Sequence, residues 1–143
     1  MKISRHEARK DALQILYQLD MNPSLSVLEA IAHYERLYTK EGGRLDDYVL
    51  KVVNGVREHL KELDEEVSTQ SENWRMDRMA IVDRNILRIG VYELKYCDDV
   101  PATVTINEMV EIAKEFGAEA TPSFTNAILD KLKDKVVPPG KAP

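Results

Sequence analysis

The feature of this sequence that most constrains its fold is a recurring signal for the start of an α-helix. In a capping box, a Ser or Thr hydroxyl and a Glu three residues later satisfy two backbone N–H groups that a helix start leaves unpaired. The pattern occurs at Ser4 with Glu7, at Ser26 with Glu29 and at Thr105 with Glu108. Apolar residues at helical spacing follow each box, and no clear run shows the period of two that marks a strand. The sequence therefore predicts an all-α protein.

These starts, the apolar spacing and the Pro and Gly stops predict a compact bundle of six or seven helices. The predicted helices cover 4–22, 26–38, 46–67, 77–96, 105–117 and a last helix with Thr121 as N-cap and Pro122 as its first residue. A short turn at Trp74 is a further candidate, and Gly117 is the predicted stop of the fifth helix. We expect a single all-helical domain over residues 1–137. Residues 138–143 are expected to form a flexible C-terminal tail, because Pro138-Pro139-Gly140 cannot continue a helix.

Composition excludes several classes of protein. No stretch approaches the ~18 apolar residues of a membrane span, and the N-terminus has no secretory signal. The single cysteine, Cys97, fits a reducing cytoplasm. His6, His33 and His59 lie too far apart in sequence to suggest a metal site. No phosphate loop, nucleophile elbow or zinc-protease motif is present, so we expect no cofactor and no enzyme activity.

Charge is distributed unevenly along the chain. The formal net charge is −5, but residues 1–10 carry a local net of +3. Their basic residues are Lys2, Arg5, Arg9 and Lys10, and Arg5 and Arg9 share one stripe of the first helix. Positive charge at a helix start opposes the helix dipole, so stability alone does not favour it. It is typical either of an ordinary solvated helix end or of a surface for an anionic partner, to which His6 and the aromatic face of Tyr17 would add.

Two further groups of residues could carry function. Phe124 and Asn126 open the last helix, where an exposed pair could stack on and hydrogen-bond an unpaired base; the alternative is core packing for Phe124. Asp77 and Asp83 are six residues apart and project in different directions from a helix. Nearby Arg84 would keep such carboxylates ionised, which favours a salt-bridged or protein-docking surface over acid–base catalysis.

Several segments, in their order and spacing, resemble the NusB family. They are RHEARKDALQILY (5–17), WRMDR (74–78), DRNILRIGVYEL (83–94), VP (100–101), INEMVEIAKEFG (106–117) and FTNAILD (124–130). The resemblance implies two packed helical subdomains and a bacterial transcription antitermination factor that is not an enzyme. It implies pairing with NusE, a small-subunit ribosomal protein, and binding of single-stranded boxA RNA from ribosomal RNA operons. The implied mechanism is a scaffold that assembles the antitermination complex on RNA polymerase by raising local concentrations.

The resemblance also assigns roles by position. The family's RNA-contacting positions correspond here to Lys2, Arg5, His6, Arg9, Lys10, Tyr17, Phe124 and Asn126. The positions that dock the ribosomal protein correspond to Asp77 and Asp83, with Arg84 adjacent. The chain departs from the family pattern at His6, where arginine is frequent, at Ser123, where lysine is usual, and at Ala120, where an acid is frequent. Fewer phosphate contacts predict weak RNA binding that depends on NusE.

Three alternatives stay open at this stage. A NusB-like domain also forms the N-terminal part of some ribosomal RNA cytosine methyltransferases, so the chain could be a detached RNA-binding accessory module. It could be a protein adaptor that never contacts RNA, which the net charge of −5 favours. It could also form a homodimer that buries the basic surface.

Overall fold

The computed structural model describes residues 3–40, 43–71 and 75–143, and every regular element in these ranges is helical. The prediction of an all-α protein with six or seven helices is confirmed; Trp74 lies outside the described residues. The elements are α1 Arg5–Met21, α2 Val27–Tyr38, α3 Asp47–Glu58, α4 Leu60–Ser68, a 3-10 helix Met76–Arg78, α5 Ile81–Tyr96, α6 Ala102–Phe116 and α7 Thr121–Val136.

Two of the three predicted capping boxes lie at helix starts. The Ser4 hydroxyl accepts a hydrogen bond from the N–H of Glu7, and Ser26 and Glu29 form both bonds of the box. The third prediction is wrong, because the N-cap of α6 is Pro101, four residues before Thr105. Thr105 is buried inside α6, and its hydroxyl donates to the buried carboxylate of Glu93 at 2.9 Å. The hydroxyl of Thr105 therefore serves a buried hydrogen bond and does not cap a helix end.

The long helix predicted over residues 46–67 is two helices. The backbone leaves helical geometry at His59, with φ −105° and ψ 19°, and α4 begins at the next residue. Periodicity could not detect the break, because the apolar stripe continues across it with Val56 and Leu63 both buried. The chain divides at this point into two compact units, Met1–Glu58 and His59–Pro143.

The loop before the last helix depends on one glycine. The helix α6 stops before Gly117 as predicted, but Gly117 has φ −94° and is not in the left-handed conformation. A Cβ at this position would lie 2.5 Å from the Cβ of Thr121, so the close approach of Thr121 excludes a side chain. Thr121 is the first residue of α7 and not its N-cap, and Pro122 is therefore one position later than predicted.

Unit 1, Met1–Glu58, packs α1 against α2 and α3. Its core is aliphatic, with Leu13 and Leu16 of α1 and the valines of α3 buried. The hydroxyl of Tyr34 donates to Asp11 at 2.7 Å, between α2 and α1. Burial raises the pKa of the Asp11 carboxyl, although the hydrogen bond from Tyr34 opposes the change.

Unit 2, His59–Pro143, is built around α5, whose residues from Asn85 to Leu94 are all buried. The helices α5 and α7 approach closely at Gly90, where a Cβ would lie 2.7 Å from Cδ1 of Leu129. The buried guanidinium of Arg88 binds both carboxylate oxygens of Asp64 in α4, at 2.7 and 2.9 Å. It also donates to the side-chain oxygen of Asn85 at 3.1 Å, so α4 and α5 are joined by a polar network inside the unit.

The end of α5 has its own polar contacts. The Lys141 ammonium donates to the backbone carbonyls of Glu93 and Leu94, at 2.7 and 3.0 Å, and so caps the last turn. Burial lowers the pKa of Lys141. Cys97 is the C-cap of the same helix and is fully buried. Within residues 138–143, Lys141 therefore has defined partners; the flexibility of this tail stays a prediction, as does the single domain.

Candidate nucleic-acid interface

The first two turns of α1 carry most of the basic residues predicted to bind RNA. Ser4 fixes the helix start, so Arg5 and Arg9 lie one turn apart on one face. Arg5 is exposed, and its guanidinium carbon lies 4.2 Å from the centroid of the Tyr48 ring in α3. Lys10 is half-buried and lies 3.6 Å from the carboxylate of Glu7. Positive charge and one aromatic ring thus meet at this end of unit 1.

Arg9 differs from its neighbours in exposure. Its side chain is only 2% exposed, and its guanidinium carbon lies 5.9 Å from the Tyr48 ring centroid. A buried guanidinium contributes to the local potential, but a nucleic acid outside the fold cannot form the two-pronged bond that an exposed arginine offers a phosphate.

The other predicted positions of unit 1 vary in exposure. His6 and Tyr17 are half-buried on α1, and Lys2 lies outside the described residues. Sequence reasoning missed three further residues, Arg44, Tyr48 and Lys51, which line a groove of about 670 Å³ together with Arg5. The missed signal was a basic residue four positions before and three positions after a tyrosine, in the segment that leads into α3.

Phe124 and Asn126 occupy the start of α7 in unit 2, but they are not neighbours on its surface. Residues two apart on a helix point to different sides, and Phe124 is half-buried whereas Asn126 is exposed. Phe124 borders a cavity of about 420 Å³, and Asn126 does not line it. The ring and the amide therefore face different parts of the surface of α7.

Asp83 shares the cavity of Phe124. It lies in the first turn of α5, and its carboxylate accepts a hydrogen bond from the Thr121 hydroxyl at 3.1 Å. The same hydroxyl accepts from the N–H of Ala118 at 3.0 Å, which ties the loop before α7 to α5. The predicted protein-docking carboxylate and the predicted RNA-stacking ring thus line one cavity of unit 2.

Asp77 and Arg84 complete the predicted docking residues. Asp77 is exposed in the 3-10 helix, and its carboxylate lies 3.4 Å from the Arg75 guanidinium. Arg84 is half-buried on α5 and does not line the cavity of Asp83. The exposed ion pair of Asp77 is weakly held, since surface pairs contribute little to stability, and its carboxylate can exchange one partner for another.

Two classes of site receive no support from the described residues. No three His, Cys, Asp or Glu side chains in 3–40, 43–71 and 75–143 are grouped so that they could hold a metal ion. None of the helices in these ranges is long and apolar enough to cross a membrane.

Comparison with known proteins gives one consistent result. The NusB family model matches residues 6–134. The transcription antitermination protein NusB of Geobacillus kaustophilus is 43% identical over 92% of this chain and 96% of its own length. The solved structure of Thermotoga maritima NusB is 32% identical and has a TM-score of 0.87, covering 99% of this chain and 98% of that one.

A further solved structure shares the fold at lower identity. It contains the antitermination factors NusB and NusE in complex with double-stranded RNA. It is 24% identical, with a TM-score of 0.78 over 92% of this chain and 96% of that one. The family match spans nearly the whole sequence and both units, and NusB is a non-enzymatic antitermination factor. The chain therefore belongs to the NusB family of transcription antitermination proteins.

Proposed function

We propose that this protein acts in the cytoplasm with NusE, binds single-stranded boxA RNA of ribosomal RNA operons and helps to assemble the antitermination complex on RNA polymerase. One observation carries the proposal: in a chain matched by the NusB family model, Phe124 and Asp83 line the same cavity of unit 2. A stacking ring beside a carboxylate suits a surface that binds RNA and a basic protein together.

The RNA-binding role is divided between two sets of residues. In unit 1, Arg5, His6 and Lys10, with Lys2, contact phosphates, and Arg9 adds positive potential from its buried position. Tyr17 offers a ring face to a base.

In unit 2, Phe124 stacks on a base and Asn126 hydrogen-bonds a neighbouring nucleotide, because the two side chains leave α7 on different sides. The two units thus supply different interactions: the phosphate contacts and the Tyr17 ring come from unit 1, and the Phe124 ring and the Asn126 hydrogen bond come from unit 2.

The protein-binding role belongs to the acidic residues of unit 2. Asp77 and Asp83 bind basic side chains of NusE, and Arg84, the residue next to Asp83 on α5, belongs to the same docking surface. Residues 59–143 contain eleven basic and sixteen acidic residues, so the unit as a whole attracts a basic partner.

The test is fluorescence anisotropy of a labelled single-stranded boxA RNA, with and without NusE, across a salt series. We expect weak binding by the protein alone and tight binding with NusE, falling as salt rises. Phe124→Leu should weaken the ternary complex, whereas Phe116→Leu, a matched change of the other phenylalanine, should not. If NusE binds tightly and RNA never binds, the protein is an adaptor and the RNA role is wrong.

The docking residues are tested separately, by calorimetry of NusE binding without RNA. Asp83→Lys should weaken binding at least tenfold by placing like charges together. Asp130→Lys, an equal charge change at an exposed site of α7, is the control. Equal affinities of the two variants for NusE would remove Asp83 from the interface. Light scattering of the same samples shows whether a homodimer forms and is displaced by either partner.

A further inference from the structure

The groove of about 670 Å³ in unit 1 gathers more positive charge than the family positions account for. It lies between the first turn of α1 and the start of α3. Its charged and aromatic lining residues are Arg5, Arg44, Asp46, Asp47, Tyr48 and Lys51. Arg5 belongs both to this groove and to the basic turn of α1, so the two surfaces are continuous.

Tyr48 is the fixed centre of the groove. Its side chain is 7% exposed, and the charged groups of three basic residues lie within 6 Å of its ring centroid: Arg5 at 4.2 Å, Arg9 at 5.9 Å and Lys51 at 5.9 Å. Each cation is attracted by the ring face, but the three repel one another. Arg5 and Lys51 also line the groove, so an anion placed there interacts favourably with both.

The two acids of the groove are explained by the helix that they start. Asp46 accepts a hydrogen bond from the N–H of Tyr48 at 2.9 Å, as the side chain before a helix does. Asp47 lies in the first turn of α3, where negative charge interacts well with the helix dipole. Neither Arg44 nor Lys51 stabilises the start of α3 in these ways, and both side chains are exposed at the groove.

We propose that the groove binds the phosphate backbone of single-stranded RNA, with Arg44 and Lys51 as phosphate contacts and Tyr48 as the platform that holds Arg5. The inference rests on the proposed RNA-binding function and extends it from α1 onto α3. Continuity with the α1 surface favours RNA over an acidic protein segment, because one strand can follow both surfaces and needs a cation at each successive phosphate.

The test measures RNA affinity and its salt dependence for the full-length protein with NusE. The variant Arg44→Gln/Lys51→Gln removes two charges at exposed positions, so the fold should be retained, as circular dichroism would verify. For single-stranded RNA, the logarithm of the binding constant falls as the logarithm of the salt concentration rises. Each lost phosphate contact makes that slope shallower by about 0.7. We therefore expect a slope lower by about 1.4 and an affinity about tenfold weaker at low salt.

The matched control is Arg36→Gln/Lys61→Gln, which removes the same charge from exposed positions of α2 and α4 outside the groove. If both double variants bind RNA with the same affinity and slope, the groove is not part of the RNA path, while the proposed function stands. If the wild-type protein itself fails to bind RNA, the proposed function falls and the inference with it. Loss of NusE affinity in the absence of RNA would instead identify the groove as a protein-docking surface and overturn the RNA assignment.

Discussion

The two units of this protein use their charged residues in opposite ways. Unit 1 has nine basic and nine acidic residues, yet it gathers Arg5, Arg44 and Lys51 along one groove. Unit 2 has a net charge of −5, and its buried arginine, Arg88, points inward to Asp64. Net charge therefore does not reveal which unit can bind an anion. Whether a unit can bind an anion depends on where its cations point and on which acidic groups already neutralise them.

The largest expected effect is a loss of stability when the ion pair between Arg88 and Asp64 is broken. Asp64→Ala removes the two carboxylate oxygens that the buried Arg88 guanidinium binds at 2.7 and 2.9 Å. Removing one partner of a buried ion pair costs about 3 kcal/mol of unfolding free energy. Urea unfolding measures the loss. Asp130→Ala, which breaks an exposed pair with Lys133, should leave the midpoint unchanged. Equal midpoints for the two variants would mean that the Arg88 pair is no more important than a surface pair.

The second effect concerns packing at the centre of unit 2. Gly90→Ala places a methyl group against Leu129, and overpacking of a closed core should cost about 2 kcal/mol. The double variant Gly90→Ala/Leu129→Val should be more stable than the sum of the single changes predicts, because valine leaves room for the methyl. Thermal unfolding of the wild type, the two single variants and the double variant gives the coupling free energy between residues 90 and 129. Additive losses would show that the close approach of α5 and α7 does not limit residue 90.

The third effect separates the proposed contributions of the two units to RNA binding. Arg5→Gln should reduce affinity at low salt and lower the salt slope by about 0.7. Phe124→Leu should reduce affinity about tenfold at every salt concentration and leave the slope unchanged, because stacking releases no counterions. Anisotropy titrations at four salt concentrations distinguish the two patterns. A changed slope for Phe124→Leu would contradict the division between charge and stacking.

The smallest effect is a pH dependence in unit 1. Burial raises the pKa of Asp11 in the folded protein, so the folded state holds this proton more tightly than the unfolded state does. Stability from Asp11 is therefore present at low pH and is lost as the pH rises through its folded pKa. Asp11→Asn keeps a hydrogen-bond acceptor for the Tyr34 hydroxyl and should remove the loss of stability at higher pH. The gain at pH 7 should stay below about 1 kcal/mol, since the carboxyl is only half-buried. A variant less stable than wild type at pH 7 would show that the charge itself is needed.

Sequence reasoning predicted the fold well because helix starts and apolar spacing are local signals. Ser4 and Ser26 acted as expected, since each hydroxyl satisfies a nearby backbone group. Thr105 matched the same pattern but bonds Glu93, twelve residues away in sequence, and no local rule contains that contact. The break at His59 was missed because its cause is not a proline or glycine and the apolar stripe continues past it.

The candidate site could be predicted only in part. Family resemblance selected Arg5 and Phe124 by position, but exposure is a property of the fold, and so the burial of Arg9 could not be foreseen. Tyr48, Arg44 and Lys51 were missed because their relation to Arg5 arises from the packing of α3 against α1. Pairing of Asp83 with Thr121 likewise depends on the contact between α5 and α7.

The buried position of Cys97 gives the molecule a built-in reporter. It is the only cysteine in the sequence, it is fully buried, and it ends the central helix of unit 2 beside the carbonyls that Lys141 caps. A thiol reagent can reach it only in molecules whose α5 terminus has opened, because a buried thiol is unreactive. The rate of labelling therefore measures the opening of unit 2 under native conditions. Slower labelling in the presence of NusE or RNA would measure how far each ligand stabilises that unit.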